Sequence, residues 1–203
     1  MSRAVLVTRR GLLSGAAAAG AAFGLGTLVP APARRAGATS ATPGAVDVGF
    51  FTDMSFHHAQ ALAMCQRVLG SDAGGPVLAA AAEILQNQAY ETGLMHAWLR
   101  VWGESTAPPE QAMGWMHAAV AAEAMPGYAT DAQMSELTEL AGTPKGRRFL
   151  ELMRTHHEGG IHMADYAADS ASTDVVRGAA ATMAEVQRYE VAVFDDLLAT
   201  TYA

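Results

Sequence analysis

The chain has 203 residues, of which 51% are hydrophobic and only 16% charged, and its formal net charge is −7. This composition excludes an intrinsically disordered chain and suits one packed domain. Alanine is abundant, β-branched runs are scarce, and no Asn-Gly or Asp-Gly hairpin signal occurs, so we predict an all-α protein.

Residues 1–38 have the three parts of an export signal: the pair Arg9-Arg10, a weakly apolar stretch, and small residues at the end. The arginine pair resembles a twin-arginine signal. We expect the segment to be cleaved; if it is kept, it is the one part of the chain that could anchor in a membrane. The protein is therefore predicted to be exported and to be periplasmic, attached to the cell wall, or secreted.

The exported part of the chain is strongly acidic. Without residues 1–38 it loses five of its 13 basic residues and none of its 20 acidic ones, which leaves a net charge of −12. Such a surface repels phosphate backbones, so no nucleic-acid partner is expected, whereas cations are attracted. The single cysteine, Cys65, excludes an internal disulfide.

After a flexible connection at 39–46, the rest of the chain contains a tandem repeat with an offset of 99 residues. The segment "MSFHHAQALAM" (54–64) returns as "MRTHHEGGIHM" (153–163), and the same offset aligns Gln88 with Gln187 and Glu91 with Glu190. We predict one domain over 47–203. It consists of one repeat at 47–103, a linker at 104–143, and a second repeat at 144–203.

Local signals predict that each repeat is a helical hairpin. Capping residues, prolines and glycines delimit four long helices, which run from Asp47 to Leu69, Pro76 to Trp102, Thr143 to Asp169, and from Thr173 or Ser172 to Ala199. Two short-looped pairs of this kind form an antiparallel four-helix bundle with pseudo-twofold symmetry.

The linker is expected to cross over this bundle. It contains one short helix, which begins at a capping box formed by Thr130 and Gln133. Its four methionines are predicted to pack on the outside of the bundle, with metal ligation as the alternative; they are Met113, Met116, Met125 and Met134.

The repeated segments place unusual side chains on one helix face. At about 100° per residue, the two methionines and two histidines of each segment fall within an arc of roughly 120°. These candidate metal ligands are Met54, His57, His58 and Met64 in the first repeat and Met153, His156, His157 and Met163 in the second.

The following helix of each repeat offers polar partners for these histidines, namely Gln88 and Glu91, then Gln187 and Glu190. A carboxylate that accepts a hydrogen bond from one imidazole nitrogen leaves the other nitrogen free for a metal. Hydrogen-bonded His–Glu pairs without a metal would produce the same sequence pattern.

The donor types favour one metal over others. Thioether sulfur together with imidazole suits copper, Cu(I) above all, whereas magnesium and calcium prefer oxygen ligands. Iron is less favoured, because each half offers only one inward glutamate and these faces carry no Glu-x-x-His pair.

The motifs "DMSFHHAQALAM", "NQAYETGLMHAWL", "AMPGYAT" and "FLELMRTHHEGGIHMA" resemble the domain-of-unknown-function 305 family over about residues 47–198. The resemblance implies a ferritin-like helical bundle in an exported or membrane-attached protein. It also implies copper binding and copper tolerance, as associated with some members, through the eight methionines and histidines named above. Tyr128 departs from the family pattern, which leads us to expect methionine there.

We therefore predict a metal-binding protein that carries or buffers copper in the cell envelope and has no catalytic turnover. A metal ion is the expected partner, and no protein partner follows from the sequence. One alternative is a ferritin-like metal-dependent oxidase in which Glu91 and Glu190 bind the metal directly. The other is a metal-free interaction module.

The export signal can be tested by changing Arg9 and Arg10 together to Lys. The variant should stay in the cytoplasm, because the twin-arginine route reads this pair. Cell fractionation measures the outcome, with the same change at Arg34 and Arg35 as the control. Normal export of the Arg9/Arg10 variant would contradict the prediction.

Overall fold

A computed structural model describes residues 42–203 of the protein; the predicted export signal lies outside this range. The described chain is mostly helical, as predicted. Its helices are α1 (Ala45–Val68), α2 (Gly75–Trp102), α3 (Asp131–Glu139), α4 (Gly142–Ser170) and α5 (Asp174–Ala199). Among them, none combines the length and the apolar character that crossing a membrane requires.

The long helices pack as two hairpins, α1 with α2 and α4 with α5, and the hairpins meet mainly through α1 and α4. Pro76 lies in the first turn of α2, where its missing N–H costs nothing, and Gly103 ends this helix with a φ of 78°. The buried apolar side chains form two clusters along the molecule. The complete four-helix bundle remains a prediction.

Asp47 does not cap α1 as predicted, because Gly44 takes the cap position and Asp47 lies within the first turn. From there its carboxylate accepts the Gly44 N–H at 3.0 Å and also the backbone N–H groups of Ser172 and Thr173, at 2.9 and 2.8 Å. Thr173 caps α5 with its hydroxyl. One buried carboxylate thus joins the starts of the first and last helices.

The linker contains a small antiparallel sheet that the all-α prediction missed. Strand β1 (Gln111–Ala112) pairs with β2 (Val120–Ala121), and a one-turn 3-10 helix, Gly114–Met116, lies between them. Strands of two residues are too short to produce a period-two pattern in the sequence.

The linker methionines are buried, so the prediction that they pack on the outside is wrong. Their exposed fractions are 8% or less for Met113, Met116, Met125 and Met134. For Met113 and Met116 the physical reason is an anchor on α1: the buried Asp53 carboxylate accepts the Met113 N–H at 2.6 Å and the Trp115 indole N–H at 2.7 Å. This anchor holds the linker turn against the helices instead of leaving it in solvent.

A second anchor lies further along the linker. The Gln60 side-chain amide donates to the Ala129 carbonyl at 2.7 Å and accepts the Ala129 N–H at 2.6 Å, as a neighbouring strand would. Phe56, one turn earlier on α1, stacks on Tyr128 with ring centroids 5.3 Å apart. The segment between Met125 and Thr130 is therefore fixed across the face of α1.

The role of Asp47 leads to a prediction about stability and pH. Burial raises the pKa of Asp47, but hydrogen bonds from Thr173, Ser172 and Gly44 outweigh it and leave the pKa below its ordinary value. Asp47→Asn should therefore cost about 1–3 kcal/mol of unfolding free energy at pH 7. Because the folded pKa is lowered, the wild-type advantage should shrink as the pH falls below about 4.

Urea unfolding between pH 3 and pH 7 measures this effect. Asp72→Asn is the control, since Asp72 accepts a single exposed hydrogen bond, from Gly142, and should matter less. An Asp47→Asn variant as stable as the wild type at pH 7, or a gap that widens in acid, would contradict the assignment.

Candidate metal centre

The centre of the molecule is a pair of stacked histidines where α1 and α4 meet. His57 and His156, which the 99-residue offset aligns, are both completely buried. Their ring centroids are 3.6 Å apart and the ring planes differ by 26°. The two copies of the repeated segment thus face each other directly, as the pseudo-twofold symmetry predicts.

The hydrogen bonds of this pair fix the tautomer of each ring. His156 donates from Nε2 to the His57 carbonyl at 2.9 Å, and His57 donates from Nε2 to the Pro126 carbonyl at 3.3 Å. Carbonyl oxygens only accept, so each Nε2 carries the proton and each Nδ1 has a lone pair. Both Nδ1 atoms are buried and without a hydrogen-bond partner.

These two imidazoles are neutral. Burial, followed by the neighbouring histidines, lowers the pKa of His57 to about 3. The same causes lower the pKa of His156 well below its ordinary value. A neutral imidazole is the form that binds metals, so neither ring has to lose a proton from Nδ1 before it can act as a ligand.

The second histidine of each segment contacts the glutamate of the following helix. His58 Nε2 lies 2.9 Å from a carboxylate oxygen of Glu91, and His157 Nε2 lies 2.7 Å from one of Glu190. Both histidines are completely buried, and the Nδ1 atom of each has no hydrogen-bond partner. Four buried imidazoles therefore each leave one nitrogen unpaired.

The two glutamines lie within the core but do not bond the histidines. Gln88 and Gln187 are 4% and 3% exposed, and the side-chain oxygen of each is buried without a partner. Gln187 approaches the backbone of α4 so closely at Gly160 that an added Cβ would overlap its amide. Two further unpaired acceptors thus lie among the histidine-bearing helices.

The four predicted methionine ligands are all fully buried, but they belong to two different clusters. Met54 of α1 and Met163 of α4 lie in one hydrophobic cluster, whereas Met64 and Met153 lie in the other. Each cluster therefore combines a methionine from the start of one repeated segment with one from the end of the other. This distribution gives two symmetry-related methionine pairs rather than a single group of four.

Nitrogen, oxygen and thiol donors alone do not form a metal site here: over residues 42–203, no group of three or more His, Cys, Asp or Glu side chains is arranged to hold a metal ion. Cys65 is a buried thiol, and burial together with the charge of Glu190 raises its pKa to about 12. Methionine sulfur is the additional donor type that the same helices supply.

Sequence reasoning missed the contribution of the linker to this site. The Pro126 carbonyl holds the His57 ring, and Gly127, with a φ of 80°, lies against the α4 backbone at Thr155 and His156. On α4 a Cβ at Gly159 would overlap the Pro126 carbonyl. The Pro-Gly pair of the "AMPGYAT" motif was the signal that could have pointed to this close approach.

Residues 47–198 match the sequence model of a family described as Domain of unknown function (DUF305). No curated protein matches the chain.

The fold is similar to two crystal structures from that family. One, described as a candidate secreted protein from Streptomyces coelicolor, is 37% identical, with a TM-score of 0.71 over 76% of this chain and 92% of that one. The other, a fragment from Deinococcus radiodurans, is 27% identical, with a TM-score of 0.67 over 77% of this chain and 97% of that one.

The fold is also similar to that of CopM in its Cu(I)-bound form. The identity is 18% and the TM-score 0.63, over 77% of this chain and 98% of CopM. CopM in its Cu(II)-bound form is 19% identical, with a TM-score of 0.58 over 74% of this chain and 93% of that one. At these identities the likeness is one of fold.

The close approach of the linker to α4 leads to a prediction about Gly159. In Gly159→Ala the new Cβ would overlap the Pro126 carbonyl, so the linker must move and the unfolding free energy should fall by about 1–3 kcal/mol. Gly93→Ala is the matched control, because nothing lies near a Cβ added at this position of α2. There alanine should stabilise by about 0.5–1 kcal/mol.

Urea unfolding of both variants measures the difference. Equal effects at the two glycines would mean that the linker does not rest on α4 at Gly159.

Proposed function

The chain belongs to the DUF305 family, and on that premise we propose that it binds copper ions, Cu(I) above all, as a carrier or buffer in the cell envelope. The observation that carries this proposal is the set of four buried imidazoles whose Nδ1 atoms have no hydrogen-bond partner. An unpaired buried acceptor lowers stability unless something binds it. A metal ion is the partner that uses a nitrogen lone pair directly.

The surrounding side chains support a soft metal. Every methionine in residues 42–203 is buried. Each of the two hydrophobic clusters contains one methionine of the repeated segment on α1 and one of the repeated segment on α4, together with phenylalanine side chains. Imidazole and thioether together are donors that suit copper, and thioether sulfur favours its monovalent state. The Cu(I)- and Cu(II)-bound forms of CopM, which share this fold, are consistent with this choice.

The proposed ligands are the histidines and methionines of the two repeated segments. They are Met54, His57, His58, Met64, Met153, His156, His157 and Met163. Glu91 and Glu190 have a different role: each accepts the Nε2 proton of one histidine and so presents Nδ1 to the metal. A carboxylate in this position also makes Nδ1 of the imidazole more basic and therefore a stronger metal ligand.

The cellular setting is part of the same proposal. We place the mature domain at 47–203, a ferritin-like bundle of four long helices outside the cytoplasm, after an export signal at 1–38. The S. coelicolor relative, described as a candidate secreted protein, supports export. The excess of acidic residues would attract cations to the domain.

The test removes one histidine together with its glutamate, so that no buried charge is left unpaired. His58→Leu with Glu91→Leu, and separately His157→Leu with Glu190→Leu, should each weaken Cu(I) binding at least about tenfold. Anaerobic competition with a Cu(I) chelator measures the affinity. His162→Leu is the control, because His162 is an exposed histidine on the same helix, α4, as His157.

Thermal unfolding provides a second measurement. A ligand that binds only the folded state at about 100 times its dissociation constant adds about 2.7 kcal/mol of stability. The wild type and His162→Leu should show an increase on adding Cu(I), and both paired variants should show a smaller one. A wild-type midpoint that does not move at saturating Cu(I) would reject the proposed function.

A further inference from the structure

The methionines are distributed very unevenly between the two hydrophobic clusters. Seven of them share a single cluster, here called the thioether cluster, which consists of Met54, Met95, Met113, Met116, Met125, Met163 and Met183. The other cluster contains only Met64, Met134 and Met153. The repeat alone would give each end of the molecule the same donors, so the excess comes from outside the repeated segments.

The linker supplies three of the additional sulfurs. Met113, Met116 and Met125 are 3%, 8% and 2% exposed, and they pack in the same cluster as Met54 and Met163 of the two repeated segments. The helices add to the imbalance, because Met95 of α2 has Phe194 of α5 as its counterpart at the 99-residue offset.

The linker turn that contains Met113 and Met116 has an unfavourable backbone conformation. Met113 and His117 are the two non-glycine residues in the described chain with positive φ, at 63° and 60°. Such a conformation is unfavourable for a side chain like methionine and persists only where its surroundings enforce it. Asp53 enforces it here, through its bonds to the Met113 N–H and the Trp115 indole.

We propose that Met113, Met116 and Met125 complete, together with Met54 and Met163, a binding site for a soft monovalent cation that is coordinated by thioether sulfur alone. Cu(I) is the physiological ion of this class and Ag(I) its redox-inert equivalent. The proposal rests on the proposed function in that copper is the ion handled, but its three linker donors are not among the histidine and methionine ligands of the repeated segments. Neutral thioethers coordinate such ions and discriminate against Cu(II), which prefers nitrogen and oxygen.

The competing explanation is that these methionines only fill the core, as methionine often does. Leucine separates the two explanations, because it keeps nearly the same volume and removes the sulfur. The chain also offers a matched control. Met116 and Met134 are both linker methionines with 8% exposure, but Met134 lies in the other cluster.

The experiment compares Met113→Leu with Met116→Leu as a double variant, Met116→Leu alone, Met134→Leu, and the wild type. Equilibrium dialysis and native mass spectrometry measure how many Ag(I) ions each binds, and X-ray absorption at the silver edge counts sulfur neighbours. The double variant should lose one equivalent of Ag(I) and its sulfur-only signal, and Met116→Leu should weaken that equivalent at least tenfold. Met134→Leu and the wild type should be alike, and Cu(II) binding should not change.

The outcomes separate this inference from the proposed function. Equal Ag(I) stoichiometry and affinity in all four proteins would overturn the inference, even if the His58/Glu91 variant loses copper. Loss of the silver equivalent in the double variant, with no effect of the histidine variants, would support the thioether site and reject the histidine ligands. If the double variant unfolds at a much lower temperature than the wild type without metal, the comparison of Met116→Leu with Met134→Leu decides. Weaker Ag(I) binding in Met116→Leu alone supports the inference, and equal Ag(I) binding in the two variants overturns it.

Discussion

The close packing of α1 against α4 is the constraint on which the rest of the molecule depends. At this contact two imidazole rings are stacked and removed from water, and burial keeps both uncharged. A charge on either ring would be costly because the buried ring has lost its hydration, and charges on both rings would also repel each other. The hydrogen-bond partners of these rings are backbone carbonyls, which accept the proton of Nε2. Nδ1 of each ring is left without a partner.

Helices α2 and α5 hold the second histidine of each repeated segment by a side-chain hydrogen bond. Glu91 of α2 and Glu190 of α5 each bond the adjacent histidine, His58 or His157. Removing only one member of such a pair leaves a buried polar group without its partner, which costs more than the bond itself contributes. Each carboxylate therefore ties the orientation of its histidine ring to the packing of the two helices within one hairpin.

A large part of this could be predicted from the sequence, because the repeat shows which residues are equivalent. The 99-residue offset and the helical periodicity led us to expect Glu91 and Glu190 beside the histidines of their repeats; that the partners are His58 and His157, and not His57 and His156, comes from the structure. The helical class and the capping box at Thr130 were also predicted correctly. These features depend on local patterns within single helices or on their duplication.

The rest depends on the path of the linker, which has no duplicate and little periodicity. Nothing in a local pattern shows that Asp53 anchors the turn at Met113 or that Pro126 bonds His57. For the same reason the linker methionines were predicted to lie outside, whereas they are buried. The capping role of Asp47 was misjudged because its partners, Ser172 and Thr173, lie at the far end of the sequence.

The crossing of the linker over the two central helices also bears on the history of the duplication. Two identical hairpins related by a twofold axis would present two equivalent surfaces on which the linker could pack. A single linker can cover only one of them. Gln60 and Gly159 occupy equivalent positions in the two repeats, yet one holds the linker by its side chain and the other admits it by having none. Divergence at such pairs of equivalent positions therefore lets the linker distinguish one side of the repeat from the other, which two separate identical hairpins would not allow.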